Sequence, residues 1–415
     1  MKKCLVSVLC LFILTACNPE LDVTIPAFGN NSILQDTNPL SDQAKTKMEG
    51  IYRVVDGSDF FGSQVVIRWS GDYMSVFSEK NSAYFILQGG SLESVVFFEG
   101  YWRYAVNSET GLIQFRISGD KGGEYLINDS TRVPIELSGT FGSEDDFPSQ
   151  KVTLVYDRYF SDKVFGKPFY ILAHRGGGRT ADMLSASENT LNMISLANRF
   201  GANAIEIDVK LSADRIPFLY HDVTLNLRLV QKSPIWGNPE DFTYAQLKSF
   251  ITLINGEKIP SLQEALDFVL EKTTLNLVWL DMKSVKNDFP EVVPIQQDIM
   301  SRAQNLGRQL EIFTGLPSED KISQFLSFPD HESVLSLCEL DVADVHRTGS
   351  EFWGPRWTLG LQTGEVAQMH AEGRRVITWT MDDPVYIERY IREGDFDGMV
   401  TNYPTLVAYY FYTQQ

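Results

Sequence analysis

The feature that most constrains the fold of this 415-residue chain is a regular alternation in its C-terminal part. After Phe169, short apolar runs alternate with amphipathic stretches typical of helices. Such an alternation indicates parallel βαβ units, in which a helix connects each strand to the next. Eight candidate strands occupy residues 170–173, 204–209, 217–220, 275–280, 311–314, 334–337, 376–380 and 398–401. They predict an α/β fold, a TIM (β/α)8 barrel over residues 166–415. Its first helix would be capped by Ser187 and end at Gly201.

A different pattern fills residues 46–165. Short runs rich in β-branched and aromatic residues are separated by turn clusters such as residues 107–111. This spacing predicts a smaller antiparallel all-β domain, either a barrel or a sandwich. Its aromatic residues are expected to fill the core, and the sequence assigns the domain no role.

The first residues have the pattern of an export signal. Lys2 and Lys3 precede an apolar run at residues 5–14, and small residues stand before Cys17. The pattern predicts a signal peptide over residues 1–16. Residues 14–17 resemble a bacterial lipobox, which implies lipidation of Cys17. Residues 17–45 would then tether the protein, after export, to the periplasmic or cell-surface face of a bacterial membrane. Cys338, inside an apolar run, is expected to be a core residue without a disulfide partner.

The net charge of −18 limits the range of partners. A surface this acidic repels a polyphosphate backbone, so nucleic-acid binding is not expected. A small anionic substrate can still bind where a cation reverses the local sign.

Polar residues occur where the predicted strands end, which is where TIM barrels build their active sites. Glu206 and Asp208 are two residues apart, so both point to one face of their strand. The same parity relates Asp281 and Lys283. Three converging carboxylates without cysteine suit one hard divalent cation, Mg²⁺ or Ca²⁺. His174 and His221, two of only five histidines, also lie at strand ends.

These residues belong to an ordered set of motifs that resembles the glycerophosphodiester phosphodiesterases. The resemblance covers the whole second domain. Its motifs are residues 174–176 (His-Arg-Gly), 188–190 (Glu-Asn-Thr), 206–209 (Glu-Ile-Asp-Val), 220–222 (Tyr-His-Asp), 258–262 (Lys-Ile-Pro-Ser-Leu), 281–283 (Asp-Met-Lys), 378–384 (Thr-Trp-Thr-Met-Asp-Asp-Pro) and 397–404 (Asp-Gly-Met-Val-Thr-Asn-Tyr-Pro).

The resemblance implies a TIM barrel, a divalent cation, and hydrolysis of a phosphodiester to an alcohol and a phosphomonoester. By position it implies metal ligands at Glu206, Asp208 and Asp281. It likewise implies an acid–base pair of histidines, His174 and His221. The phosphate would contact Arg175 and Lys283.

Two further residues keep alternative interpretations. Glu188 is either a carboxylate of the kind favoured at a helix N-terminus or, as the resemblance implies, a support of the site that lies near the metal or behind the residues that touch metal and substrate. Trp379 either packs in the core or forms a wall against the substrate's glycerol. The chain also departs from the family at two positions. Asp281 stands where the family usually has glutamate, and Asp382 stands where it usually has asparagine.

Three hypotheses follow. The leading one is hydrolysis of glycerophosphodiesters, the deacylated headgroups of phospholipids, outside the cytoplasm. The second is a phospholipase of the same barrel type acting on intact lipids, which long apolar loops around the barrel opening, such as residues 348–364, would favour. The third is a ligand-binding lipoprotein without catalytic activity.

Overall fold

The computed structural model describes residues 25–107, 109–144, 146–178 and 184–415. The predicted signal peptide and the lipidation residue Cys17 lie outside the described residues. Among the helices of the described part, none combines the length and the apolar character that a membrane span requires.

The first domain is a closed antiparallel barrel, which is one of the two predicted alternatives, a barrel or a sandwich. Eight strands pair in the order β2-β3-β4-β5-β6-β7-β8-β9, and β9 closes the ring by pairing with β2. A short strand, β1, extends the edge of β5. The elements are β1 Asn38–Pro39, α1 Asp42–Met48, β2 Gly50–Asp56, α2 Ser58–Phe61, β3 Gln64–Ser70, β4 Tyr73–Phe77, β5 Ala83–Leu92, β6 Val95–Tyr104, β7 Thr110–Ile117, α3 Gly123–Asn128, β8 Glu136–Phe141 and β9 Gln150–Arg158.

Side chains pack the interior of this barrel. Phe61 is fully buried, and its ring centroid lies 4.7 Å from that of Phe85 and 4.8 Å from that of Phe141. Trp102 is also buried, and its indole N–H donates to the carbonyl of Gly142 at 2.8 Å. Edge-to-face ring contacts of this kind stabilise a packed core, so these aromatics belong to the core, as predicted.

The first barrel begins earlier in the chain than predicted. Ser41 caps α1, where its side chain accepts a hydrogen bond from the backbone N–H of Ala44 at 3.2 Å. Ala44 and Met48, four residues apart on one helix face, are buried, and so is Leu40. Residues 38–45 therefore belong to the fold, and the predicted tether over residues 17–45 is too long at its C-terminal end.

The second domain is a closed barrel of eight parallel strands, in agreement with the predicted TIM barrel. The strands pair in the order β10-β11-β15-β16-β17-β18-β19-β20, and β20 pairs with β10. After the linking helix α4 Asp162–Gly166, the elements are β10 Tyr170–Ala173, α5 Leu191–Ala197, β11 Ala204–Leu211, β12 Pro217–Leu219, β13 Val230–Lys232, α6 Tyr244–Phe250, β14 Thr252–Leu253, α7 Leu262–Lys272, β15 Leu277–Met282, α8 Phe289–Asn305, β16 Glu311–Leu316, α9 Glu319–Ser327, β17 Ser336–Cys338, α10 Val342–Thr348, β18 Phe352–Trp353, α11 Thr363–Ala371, β19 Arg375–Thr378, α12 Pro384–Glu393, β20 Gly398–Thr401 and α13 Pro404–Thr413.

Three details differ from the prediction. The third predicted strand exists as β12, but it pairs antiparallel with β11 and lies outside the ring. The missing barrel strand is β18, in the segment 348–364 that was predicted as a loop. Two residues, both buried, are too few to show a strand period. Helix α5 is capped by Thr190 rather than Ser187, whose hydroxyl donates instead to Glu257 at 2.7 Å. Cys338 is buried and free, as predicted.

The two barrels pack against each other away from the barrel opening that holds the polar residues. Helix α5 runs from the carboxyl end of β10 towards the amino end of β11, so the turn after it lies at the amino-terminal face. There the Ser75 hydroxyl donates to the carbonyl of Arg199 at 2.7 Å, and the guanidinium of Arg199 lies 3.7 Å from the Tyr73 ring centroid. Helix α13 completes the contact. These contacts therefore place the first barrel at the end of the second barrel that is opposite the active-site opening.

Candidate active site

Three predicted carboxylates converge at the carboxyl end of the parallel barrel. Glu206 and Asp208 point inwards from β11, and Asp281 lies directly across from Asp208 in the register of β15. One oxygen of each carboxylate lies within 4.8 Å of the others. The structure thus brings together the three side chains that the sequence predicted to meet.

In each carboxylate, one oxygen is bound by a neighbouring residue and the other has no hydrogen-bond partner among the described residues. Glu206 Oε2 accepts from the backbone N–H of Arg175 at 2.8 Å, and Asp208 Oδ2 accepts from the Asn189 amide at 2.7 Å. Asp281 Oδ2 pairs with Lys283 Nζ at 2.5 Å. The other three oxygens are buried and have no hydrogen-bond partner among the described residues: Glu206 Oε1, Asp208 Oδ1 and Asp281 Oδ1.

The electrostatics of the cluster call for a positive charge. Burial, reinforced by Asp208 and Asp281, raises the pKa of Glu206 well above its usual range. Burial also raises the pKa of Asp281, although Lys283 opposes the shift. Carboxylate oxygens that are buried without a hydrogen-bond donor among the described residues fit a hard divalent cation.

His174 is oriented by a chain of hydrogen bonds. Its Nδ1 lies 2.7 Å from Asn402 Oδ1, and the Asn402 amide donates to Asp382 at 2.6 Å. Because the Asn402 oxygen must accept, Nδ1 carries the proton, and in the neutral ring Nε2 is the nitrogen that can accept one. Nε2 lies 3.7 Å from Glu206 Oε2. Asp382, at the second departure from the family pattern, thus acts on this histidine through Asn402.

His221 is oriented in a similar way by its neighbour. Its Nδ1 lies 2.7 Å from Asp222 Oδ1, and its Nε2 makes no hydrogen bond to another residue that the structure describes. Burial alone would raise the pKa of Asp222, but hydrogen bonds from Arg228, Asn226 and His221 outweigh it and hold this pKa well below its usual range. Asp222 therefore stays ionised and fixes the tautomer of the histidine.

Glu188 lies between two guanidinium groups. Arg175 Nη1 reaches both of its oxygens, at 3.0 and 3.1 Å, and Arg228 binds it with a fork of 2.7 and 3.0 Å. Arg228 also donates to Asp222 at 2.7 Å. Glu188 is buried, so this position agrees with the interpretation that it supports the site from behind.

A cavity of about 220 Å³ brings most of these residues together. Asp208 and Glu188 adjoin it through their contacts with Lys283 and Arg175. Burial opposes a charge on Lys283, but Asp281 and Asp208 outweigh it and raise its pKa. The lining residues are His174, Arg175, Glu206, His221, Trp279, Asp281, Lys283, Glu339, Trp379, Thr380 and Val400.

Sequence reasoning missed four residues. Glu339 and Trp279 line the cavity, and Glu339 directly follows β17, so the strand-end rule that found the others could have found it. Asn402 and Arg228 act through hydrogen bonds to partners far away in the chain. Asn402 lies in the motif at residues 397–404 but was given no role, and Arg228 lies in none of the motifs.

The comparisons with known proteins agree with this geometry. The model of the glycerophosphoryl diester phosphodiesterase family matches residues 174–406, more than half of the chain. The chain belongs to this family. This phosphodiesterase domain is 23% identical over 245 residues to the glycerophosphodiester phosphodiesterase of Bacillus altitudinis, covering 56% of the chain and 94% of that relative.

Two other similarities are partial. Glycerophosphodiester phosphodiesterase 1 of Bos taurus is 35% identical over 121 residues, which cover 27% of this chain and 33% of that protein. The chain thus spans about a third of that relative. The structure of an Oleispira antarctica phosphodiesterase in complex with sn-glycerol-3-phosphate aligns at a TM-score of 0.46 and 19% identity, covering 59% of this chain and 97% of that one.

Proposed function

We propose that this phosphodiesterase-family protein hydrolyses glycerophosphodiesters to an alcohol and glycerol phosphate, using one divalent cation and two histidines. The observation that carries the proposal is the set of three carboxylates, each with one oxygen lacking a donor among the described residues, beside two histidines with oriented rings. The family membership supports the substrate class.

The residues have distinct roles in this reaction. Glu206, Asp208 and Asp281 would hold the cation, which offsets the negative charge of the diester. Lys283 and Arg175 add positive charge at the cavity wall and stabilise the charge that builds on the phosphate oxygens. One histidine removes the proton of the attacking hydroxyl, and the other protonates the leaving alkoxide. Both reactions occur at Nε2, because Nδ1 of each ring is engaged.

The test uses purified protein with glycerophosphocholine and glycerophosphoethanolamine, with and without chelator. Release of glycerol phosphate that stops on chelation and returns with Mg²⁺ or Ca²⁺ supports the proposal. We expect His174→Ala and His221→Ala each to lower kcat at least roughly a hundredfold. His346→Ala is the matched control, because His346 is half exposed and pairs with Glu372 on the helical rim. If chelator leaves the turnover of the wild type unchanged, the proposed requirement for a cation is wrong.

One observation favours the second candidate, a phospholipase acting on intact lipids. Val223 and Leu227 are 75% and 61% exposed, and they lie in the short segment between Asp222 and Arg228. Trp236 lies beside them, because Leu225 pairs antiparallel with Gly237, and it is 47% exposed. Residues 352–353, in contrast, are buried in the barrel and offer no such surface. Hydrolysis of vesicle lipids but not of glycerophosphocholine would establish this candidate.

We also propose export and lipid anchoring at Cys17, on the strength of the lipobox-like residues 14–17. Incorporation of a labelled fatty acid into the wild type, and its loss in Cys17→Ser, would support the anchor. Label retained by the variant would refute it.

A further inference from the structure

Glu339 is a carboxylate in the active-site cavity that the proposed mechanism does not use. It follows β17, the fifth strand of the ring counted from β10, and therefore faces His174 across the opening. Its Oε1 is buried and has no hydrogen-bond partner among the described residues. Burial, reinforced by Asp281, raises its pKa well above the usual range, while Lys283 and Arg356 oppose the shift.

Two tryptophans line the same cavity as this carboxylate. Trp279 lies across the barrel interior because two glycines leave room: a Cβ on Gly315 would lie 2.7 Å from Trp279 Nε1, and one on Gly354 3.2 Å from its ring. The N–H of Trp279 is buried without an acceptor among the residues that the structure describes. Trp379 is fixed by donating to the carbonyl of Gly354 at 2.7 Å.

The cavity therefore has two chemically different halves. In one half, His174 follows β10 and His221 follows β12, while β11 and the end of β15 supply the cation ligands and Lys283. The strands β15, β17 and β19 supply aromatic surface, a hydrogen-bond acceptor on Glu339 and a donor on Trp279. Aromatic faces with a carboxylate and an indole N–H fit the carbon face and the hydroxyl groups of a polyol.

We propose that Glu339 is a specificity-determining residue that accepts hydrogen bonds from the hydroxyls of a polyol esterified to the phosphate. The inference rests on the proposed function, because the first half of the cavity positions the phosphate. A diester without hydroxyls would leave Glu339 and Trp279 buried and unpaired, so the site would discriminate against it.

The surroundings argue against two other ligands. The guanidinium of Arg356 lies 5.0 Å from the ring centroid of Trp379, so a quaternary ammonium on that ring would meet a like charge. Such an ammonium also has no proton to donate. A second metal ion is not favoured either, because Glu339 belongs to none of the acidic groups with metal-ligand spacing in the described part of the chain.

Binding tests the inference without turnover. Calorimetry compares sn-glycerol 3-phosphate with ethyl phosphate, which has the same phosphate charge but no hydroxyl, in the presence of Mg²⁺. We expect wild type to prefer glycerol phosphate at least roughly tenfold, and Glu339→Ala to lose that preference by weakening glycerol phosphate alone. Glu339→Gln keeps a carbonyl acceptor and should retain part of the preference. Equal affinities of wild type for the two ligands would overturn the inference.

Kinetics separate the remaining outcomes. For Glu339→Ala we expect kcat/KM to fall at least roughly tenfold on glycerophosphocholine and to stay within about twofold on bis(4-nitrophenyl) phosphate. If kcat/KM falls equally on both substrates, Glu339 acts on the phosphate rather than on the polyol, and the polyol assignment is refuted. A deficit on glycerophosphocholine that is absent on glycerophosphoglycerol would instead show that Glu339 reads the choline cation. Absence of wild-type turnover would refute the proposed function, while the ligand preference would still test Glu339.

Discussion

Replacing Glu206 by glutamine should stabilise the cation-free protein and abolish its stabilisation by a cation. The carboxylate of Glu206 is buried and lies beside Asp208 and Asp281, which raise its pKa further. Glutamine has nearly the same shape and can still accept the hydrogen bond from the backbone of Arg175. The substitution thus removes a charge and little else.

The structure sets the size of the effect. Carboxylate oxygens of the cluster lie within 4.8 Å of one another, and two charges at that distance repel by about 3.5 kcal/mol at an effective dielectric constant of about 20. Lys283 already neutralises Asp281, and protonation of Glu206 relieves part of the rest. We therefore expect glutamine to add about 2 kcal/mol to the free energy of unfolding at neutral pH, which corresponds to about 4–8 °C in Tm.

The pH dependence has a definite sign. A folded-state pKa above the unfolded value means that the contribution of Glu206 is fully present below the unfolded pKa and lost as pH rises through the folded pKa. The Tm of Glu206→Gln should equal that of wild type near pH 4 and exceed it progressively at higher pH, in chelator. A saturating divalent cation, at about a hundred times its Kd, would add about 2.7 kcal/mol to wild type alone and reverse the order.

The assay is thermal unfolding of both proteins between pH 4 and 8, with chelator and with Mg²⁺ or Ca²⁺. Glu332→Gln serves as the control, since Glu332 is exposed in the same domain and outside the cluster. A Glu206→Gln protein that is less stable than wild type in chelator at pH 8, or equally stabilised by the cation, would refute the reasoning.

Three further outcomes are expected. Asn402→Ala should lower kcat about tenfold and broaden the pH profile without lowering Tm by more than a few degrees, because it removes the hydrogen bond that orients the ring of His174; an unchanged profile would contradict the positioning role. Arg228→Met should raise KM and lower Tm, because it leaves the carboxylates of Glu188 and Asp222 with fewer hydrogen-bond donors. Steady-state kinetics will check the KM, and thermal unfolding will check the Tm. Gly315→Ala should destabilise the protein by about 1–3 kcal/mol and weaken glycerol phosphate binding, because its Cβ would displace Trp279; unchanged unfolding would count against that packing.

Local patterns in the sequence, together with the family resemblance, were sufficient to predict the fold class and most of the candidate site. The parity of Glu206 and Asp208 followed from the two-residue period of a strand, and their meeting with Asp281 followed from the shared carboxyl end of parallel strands. The first is a property of neighbouring residues, and the second follows from the fold class. They hold wherever the chain forms such strands, so the order of the amino acids is enough to predict them.

Other features depend on residues that are distant in the chain. Asn402 meets His174 across 228 residues, and Arg228 meets Glu188 across 40. Strand β18 is recognised by its pairing with both neighbours, since two residues carry no period of their own.

The closing of the eight parallel strands into a ring is the step that the sequence patterns did not describe in detail. The sequence determined which strands end in charged residues, because charge and period are local. Only the closed barrel placed β17 opposite β10 and buried Glu339 with an oxygen that has no donor among the described residues. Burial and facing partners arise when distant strands pack, and they convert an ordinary glutamate into a candidate substrate contact.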